Sequence, residues 1–184
     1  IGNLGDMSRR AIDVLSDVDV IASEDTRVTR RLLSHFDIEN RCVSYHDNNE
    51  QYRSEELVKS LIDGNSVALV SDAGTPCISD PGYRVVNLAK QSGIEVVSVP
   101  GPSAVTAALS ISGLPTDHFF FEGFLPKKKG RQTRFQFLSS LEASVVVYES
   151  PMRIIKTLND ISALMGDTRI VSVCREITKK FEEV

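Results

Sequence analysis

The order of apolar patterns along the chain constrains its fold more than any other feature. Short apolar runs with the length of buried strands alternate with segments whose apolar residues recur at helical spacing. The runs lie at 20–22, 42–45, 67–70, 95–99, 118–124, 144–149 and 169–174, and the helical patterns at 8–17, 26–36, 51–63, 80–93, 105–112, 132–141 and 151–166. Strands that alternate with helices pair mainly in parallel and are covered by helices. The sequence therefore predicts an α/β fold.

A proline-glycine turn at 100–102 divides this pattern into two blocks. We expect an N-terminal α/β domain at 1–101, with a mainly parallel sheet and helices on both faces, and a smaller α/β C-terminal domain at 102–184. The chain opens directly on IGNLGD, a turn-like stretch that normally follows a strand, and stops at Val184 inside a charged segment. We therefore expect that a first strand and some C-terminal elements are missing.

The composition is typical of a globular protein, with 41% hydrophobic and 25% charged residues. No apolar stretch approaches the roughly 18 residues that a membrane span needs. The three cysteines are far apart and lack metal-ligand spacing, and sparse cysteines in odd number favour a reducing compartment. We expect a cytoplasmic protein without a membrane segment or a metal site.

Positive charge is concentrated although the total is negative. The chain carries 21 Lys and Arg against 25 Asp and Glu, a net charge of −4, which argues mildly against a nucleic-acid binder. Residues 126–134, however, read PKKKGRQTR, and Arg27, Arg30 and Arg31 form a second cationic cluster. Each cluster is either a contact for a polyanion or a solvated surface.

Distinctive polar or glycine-proline segments follow five of the predicted strands. Open parallel sheets bind ligands at the carboxyl ends of their strands, so these segments predict a shared cleft. They are SEDTR (23–27), SYHDNN (44–49), SDAGTPCISDPG (71–82), PGPSA (100–104) and YESP (148–151).

SDAGTP carries the most chemical information of these segments. Asp72 offers an acceptor for a ligand hydroxyl or amine, Ala73 and Gly74 allow close backbone approach, and Thr75 offers a hydroxyl. The alternatives are an ordinary turn between a strand and a helix and a phosphate-binding loop, which lacks the lysine of a P-loop here. His46 is either a general base, a nucleotide contact or a loop residue without a role. With no metal site and no activated nucleophile, the pattern favours transfer between two positioned reactants.

Ten segments in order resemble one known family across nearly the whole chain. They are IGNLGD, ASEDTR, LLSHF, SYHDNN, VALVSDAGTPCISDPGYR, VPGPSA, SGLPTD, FEGFLPKKKGR, YESPMR and REITKKFEE. The chain resembles the 16S ribosomal RNA cytidine 2′-O-methyltransferase branch of the tetrapyrrole methylase superfamily. One departure is Asn48, which stands where the family's YHEHN motif has its second histidine.

The resemblance implies a homodimer of two-domain subunits with the tetrapyrrole-methylase fold and S-adenosylmethionine in the cleft between domains. The implied acceptor is a ribose 2′-hydroxyl of 16S rRNA in the 30S subunit. The cofactor contacts that it implies are Leu4, Asp72, Ala73, Gly74, Thr75, Ser103, Ala104 and Tyr148. The RNA contacts that we expect are Arg27, Lys127, Lys128, Lys129 and Arg131.

Four residues are candidates for the general base that removes the hydroxyl proton, and the sequence does not choose among them. They are His46, Glu24, Asp25 and Glu149. Two other functions remain open. A tetrapyrrole C-methyltransferase needs an apolar cleft without a cationic rim. A non-catalytic nucleotide-binding module keeps SDAGTP but gives no reason for YHDNN and PKKKGR to occur together.

Overall fold

The computed structural model describes residues 1–184 and divides into two compact units, Ile1–Ser103 and Ala104–Val184. The division falls between Ser103 and Ala104, close to the proline-glycine turn at 100–102. Each unit contains its own parallel sheet with packed helices.

The first unit contains a three-stranded sheet and four α-helices. Its strands are β1 (Val20–Ser23), β2 (Cys42–Ser44) and β3 (Val67–Val70), and its helices are α1 (Arg9–Asp17), α2 (Thr26–His35), α3 (Glu50–Ile62) and α4 (Tyr83–Gln91). A 3-10 turn covers Leu4–Asp6. The strand order is β2-β1-β3, and both pairings are parallel.

Strand β1 is the central strand of this sheet, and both of its faces are buried. Its four residues are all buried. Val20 and Ala22 pack in a cluster with residues of α3 and α4, whereas Ile21 packs in a second cluster with residues of α1 and α2. Alternate side chains of a strand point to opposite faces of the sheet. Helices therefore cover both faces, which confirms the predicted α/β architecture.

Helix α4 begins later than the sequence predicts. Asp80 and Pro81 form a favourable start signal, yet the helix begins at Tyr83 with Gly82 as the preceding cap residue. Gly82 has φ +147°, and a Cβ there would lie 2.5 Å from Cys77 Sγ and 2.8 Å from Leu69 Cδ2. Tight packing of the turn against β3 overrides the local capping preference, so the predicted start at Asp80 is wrong.

The second unit is a parallel pair of strands with helices packed on one face. Its elements are α5 (Ala104–Ile111), β4 (Phe119–Phe124), α6 (Arg131–Ser139), β5 (Ser144–Tyr148) and α7 (Ile154–Met165). The buried residues Leu125, Phe135 and Leu138 form its core, against which Phe120, Val145 and Val147 pack. The pairing of β4 with β5 shifts register between Phe121 and Gly123, so Glu122 forms a bulge.

Two predicted strands, 95–99 and 169–174, do not form. Neither segment belongs to a sheet, and most of their apolar side chains are exposed, including Val97 at 63% and Ile170 at 74%. An apolar run records a tendency to be buried, whereas a strand also requires a neighbour for its hydrogen bonds. In this structure that neighbour is lacking. None of the helices combines the length and apolarity needed to cross a membrane.

Candidate active site

The loops after β1 and β3 are joined by a pair of hydrogen bonds. The backbone N–H of Asp72 donates to Glu24 Oε2 at 3.3 Å, and the backbone N–H of Asp25 donates to Asp72 Oδ1 at 3.0 Å. The Glu24 N–H in turn donates to the Val70 carbonyl at 3.2 Å. Because neighbouring parallel strands end at the same edge, the two acidic loops brace each other there. The prediction that SEDTR and SDAGTP share a sheet edge is confirmed by these contacts.

Carboxylates accumulate at this edge of the sheet. The pKa of Glu24 is raised, mainly by burial and further by the negative charges of Asp80, Asp72 and Asp47. The hydrogen bond from the Asp72 N–H lowers this pKa but does not cancel the increase. Burial also raises the pKa of Asp80, with contributions from Asp72 and Asp47. Like charges in a partly desolvated site favour a ligand that brings positive charge or hydrogen-bond donors. No group of three or more His, Cys, Asp or Glu residues is placed to hold a metal ion.

The SDAGTP turn lies beside the PGPSA segment. Thr75 Oγ1 donates to the Pro102 carbonyl at 3.4 Å, and a Cβ at Gly74 would lie 3.8 Å from the same oxygen. Gly74 has φ +90°, a conformation that side-chain-bearing residues rarely adopt, so glycine is required by the turn. The structure thus brings Gly74 and Thr75 together with Pro102 of the PGPSA segment within the first unit.

Asp25 is committed to its own helix. Its carboxylate caps α2 by accepting from the Arg27 N–H at 2.8 Å and pairs with the Arg27 guanidinium at 2.6 Å. The Arg27 side chain and N–H hold the pKa of Asp25 well below its usual range. A carboxylate stabilised in this way is a weak base, and the pairing places the Arg27 charge next to an anion. Of the two acids in SEDTR, Glu24 is therefore the better proton acceptor.

Asn49 holds the loop that carries His46. Asn49 Oδ1 accepts from the His46 N–H at 2.8 Å, which fixes the amide orientation and turns Nδ2 toward Ser44 and the His46 ring. Nδ2 lies 3.5 Å from His46 Nε2. The Asn49 amide is a donor, so this contact favours the tautomer with an unprotonated Nε2 and the proton on Nδ1. The Nδ1 atom is buried and has no hydrogen-bond partner. With the Asn49 amide as donor, the Nε2 lone pair faces Asn49, which disfavours His46 as the general base.

Glu149, the last proposed base, lies in a buried ionic network of the second unit. Its carboxylate pairs with Arg153 at 2.6 Å and accepts from the Thr157 hydroxyl at 2.7 Å and the Ser150 N–H at 2.8 Å. Burial by itself raises the pKa of Glu149, but the hydrogen bonds and the positive charges of Arg153 and Arg131 outweigh it and lower the pKa. These contacts favour a structural anion.

Arg131 belongs to the same network. Its guanidinium donates to Asp160 at 2.8 Å, to the Thr157 hydroxyl at 2.7 Å and to the Pro126 carbonyl at 3.0 Å. The residue is buried. All three nitrogens thus have partners within the unit, and these contacts favour a structural role over contact with RNA. Sequence composition alone did not reveal this, because a buried and an exposed arginine look the same in a cationic run.

The lysine loop, residues 127–130, presents a different environment. Lys127, Lys128 and Lys129 are all exposed, and none takes part in a salt bridge. Gly130 precedes α6 with φ +78°, and the Arg131 N–H donates to the Lys128 carbonyl at 3.2 Å. Three unneutralised charges therefore stand on a loop whose two ends are anchored.

The other predicted contacts are placed as follows. Leu4 is in the 3-10 turn and is exposed, Ser103 ends the first unit, and Ala104 begins α5. Tyr148 ends β5, where its ring lies 5.1 Å from that of Phe121 and 5.5 Å from that of Phe124. Two residues of interest were missed: Asp80, whose place after SDAGTP suggested only a helix cap, and Asn49, for which the YHDNN motif was the available signal.

Comparison with known proteins places these observations in a family. The model of the family described as Tetrapyrrole (Corrin/Porphyrin) Methylases matches residues 1–184. The chain is 51% identical to the ribosomal RNA small subunit methyltransferase I of Vibrio cholerae serotype O1, with 100% of this chain and 64% of that protein covered. It is 50% identical to the protein of the same name from Xylella fastidiosa, with 100% and 68% covered.

The fold comparison agrees. The chain superimposes on the crystal structure of the methyltransferase CobJ with a TM-score of 0.69 and 18% identity, over 99% of this chain and 80% of that one. The chain spans 64% of the length of the Vibrio cholerae relative. Together, the family model and the relatives show that the chain belongs to the tetrapyrrole (corrin/porphyrin) methylase family, on the branch of the proteins named ribosomal RNA small subunit methyltransferase I.

Proposed function

We propose that the protein transfers a methyl group from S-adenosylmethionine to the ribose 2′-hydroxyl of a cytidine in 16S rRNA of the 30S subunit. The observation that carries the choice of RNA is the lysine loop, which exposes three unpaired cations on a chain of net charge −4. Exposed lysines of this kind neutralise the phosphates of a nucleic acid. A corrin precursor also carries carboxylates, so the choice of RNA rests in addition on the relatives, which are named ribosomal RNA small subunit methyltransferase I. The homodimer and the cytoplasmic location stay predictions.

The residues at the sheet edge of the first unit fit S-adenosylmethionine. The ligand brings a sulfonium, an ammonium group and ribose hydroxyls, and the edge offers the carboxylates of Glu24, Asp72 and Asp80. Positive charge on the ligand offsets the mutual repulsion of these acids. Gly74 keeps the turn free of a side chain at the point where a ligand approaches the backbone. We infer that Asp72 and Thr75 bind the cofactor, with Leu4, Ala73 and Ser103 of the same unit beside them. Ala104 and Tyr148 stay predicted contacts.

When bound, S-adenosylmethionine supplies an electrophilic methyl group: the ribose oxygen forms the new C–O bond, the S–C bond breaks with its electron pair left on sulfur, and the hydroxyl proton leaves. The protein must orient the ribose, exclude water and accept that proton. We propose Glu24 as the acceptor. Its raised pKa makes it more basic than an ordinary carboxylate, whereas Asp25 and Glu149 are held as stabilised anions.

The test is the identity of the methyl acceptor. The protein is incubated with methyl-labelled S-adenosylmethionine and either 30S subunits lacking the modification or a corrin precursor. We expect label in the 16S rRNA and none in the corrin. Label in the corrin alone assigns the protein to tetrapyrrole C-methylation. If calorimetry shows that S-adenosylmethionine binds but neither acceptor is methylated, the protein is a non-catalytic binding module.

A further inference from the structure

The second unit carries an aromatic surface next to the lysine loop. Phe124, the last residue of β4, is 56% exposed. Its ring lies 5.5 Å from that of Tyr148 at an angle of 56°, and the Tyr148 ring lies 5.1 Å from that of Phe121 in a T-shaped contact. Exposed aromatic rings that are held by aromatic neighbours present a rigid face to solvent.

The bulge in β4 creates this surface. Phe121 and Phe124 are three residues apart and in a regular strand would point to opposite faces. The extra residue, Glu122, is skipped in the pairing, so that Phe121 pairs with Val146, Gly123 with Val147 and Phe124 with Tyr148. Both phenylalanines consequently contact Tyr148. The alternate residues Phe120, Val145 and Val147 pack into the core with α6 and α7.

The lysine loop begins three residues after Phe124. Leu125 is buried in the core, and the Pro126 carbonyl is held by the buried Arg131 at 3.0 Å. These anchors fix the loop's position relative to the end of β4. One short segment, 124–129, therefore carries both an exposed π-face and a cluster of cations without salt bridges.

We propose that Phe124, backed by Tyr148, is a stacking site for an unpaired nucleobase of the RNA substrate, while Lys127, Lys128 and Lys129 bind the adjoining phosphates. This inference rests on the proposed RNA methyltransferase function. A single strand of nucleic acid is a polyanion with a π-face on every unit, and aromatic rings beside basic residues are the surface that such a strand selects. An apolar protein partner leaves the three lysines without complementary charge.

The test separates stacking from charge. Binding of a short, unstructured oligouridylate and of its abasic counterpart, which has the same phosphates, is measured against salt concentration for the protein and its Phe124→Leu variant. We expect Phe124→Leu to weaken binding of the oligouridylate by about five- to fifty-fold. The dependence on salt and the affinity for the abasic strand stay unchanged, since no phosphate contact is lost.

Phe119→Leu is the matched control. Phe119 is also exposed, at 46%, but begins β4 at the end away from the lysine loop, and its replacement should leave both affinities unchanged. Equal loss on the abasic strand would overturn the stacking site. Weaker S-adenosylmethionine binding with unaltered RNA binding would also overturn it and would assign the Phe124 ring to the cofactor. A change in sedimentation would overturn it as well and would assign the ring to a contact between copies of the chain. If the protein transfers no methyl group but Phe124→Leu still weakens oligouridylate binding, the proposed function is wrong and the stacking site stands.

Discussion

Glu24 and Asp72 each bind the backbone of the other's loop region. The Asp72 N–H donates to Glu24 Oε2 at 3.3 Å, and the Asp72 carboxylate accepts from the N–H of Asp25, the residue after Glu24, at 3.0 Å. The two acids therefore order the edge of the sheet as well as charging it. A substitution at either position has to preserve the acceptor if its effect on function is to be read separately from its effect on folding.

Asp72→Asn should weaken S-adenosylmethionine binding by about 10- to 100-fold, because a hydrogen bond to a charged group contributes about 1.5–3 kcal/mol. Asparagine retains an oxygen for the Asp25 N–H, so the loop stays in place. Isothermal calorimetry measures the affinity, with Glu55→Gln, an exposed acid on α3, as the control. Unchanged affinity in a folded Asp72→Asn protein would remove Asp72 from the cofactor site.

Glu24→Gln should slow methyl transfer by about 10²–10⁴-fold while keeping the bond from Asp72. The same change should stabilise the fold at neutral pH. Burial and neighbouring acids raise the pKa of Glu24 in the folded protein, so its ionised form opposes folding above that pKa. Urea unfolding should show the variant more stable at pH 7, with an advantage that shrinks as the pH falls through the raised pKa.

The activity of the unmodified protein should rise with pH over the range in which Glu24 ionises, and this limb should disappear in the glutamine variant. A rate–pH profile that is identical in the two proteins would show that the proton goes to another group. Gain of stability without loss of activity would make Glu24 a purely electrostatic feature of the site.

His46 should carry its ring proton on Nδ1, because the Asn49 amide faces Nε2. The chain has three histidines, so the imidazole ¹⁵N resonances can be assigned with His35→Gln and His118→Gln. We expect an unprotonated Nε2 signal for the neutral ring and a shift toward a tautomer mixture in Asn49→Ala. A dominant Nε2–H form in the unsubstituted protein contradicts the arrangement and returns His46 to the candidates for the general base.

The strands β1, β2 and β3 and the acidic loops that follow them could be predicted because local pattern and tertiary pairing agree there. Residues 20–22 and 67–70 are apolar runs of strand length, and both become strands. Residues 95–99 and 169–174 have the same pattern, yet they lack a neighbour in the sheets. Periodicity records which side chains favour burial and carries no information on which backbone lies alongside.

The candidate site shows the same division between local and tertiary information. That Asp72 and Gly74 lie in the turn after β3, at the same sheet edge as Glu24, followed from residue type and position after a strand. That Arg131 is buried depends on Asp160 and Thr157, which are distant in sequence. The choice among the four proposed bases depended on partners of this kind, which residue spacing does not reveal.

Arg131→Met should destabilise the second unit by about 3–5 kcal/mol, since it leaves Asp160 and the Glu149–Thr157 pair without their buried cation. Lys128→Met, on the exposed part of the lysine loop, should change the free energy of unfolding by less than about 0.5 kcal/mol. Urea unfolding compares the two variants. A small effect at Arg131 would mean that its contacts are not maintained in solution and would restore it as a candidate RNA contact.

Nucleoside analysis of 16S rRNA tests the proposed function most directly, with 30S subunits that lack the modification and have reacted with the protein. We expect one 2′-O-methylcytidine with the protein and almost none with the triple variant Lys127→Ala, Lys128→Ala, Lys129→Ala. That variant should bind S-adenosylmethionine with unchanged affinity, and its binding to single-stranded RNA should lose up to about 0.7 in log–log salt slope per contact. A methyl group on a base would contradict transfer to the ribose. Full activity of the triple variant with an unaltered salt slope would contradict the role of the lysine loop in binding RNA.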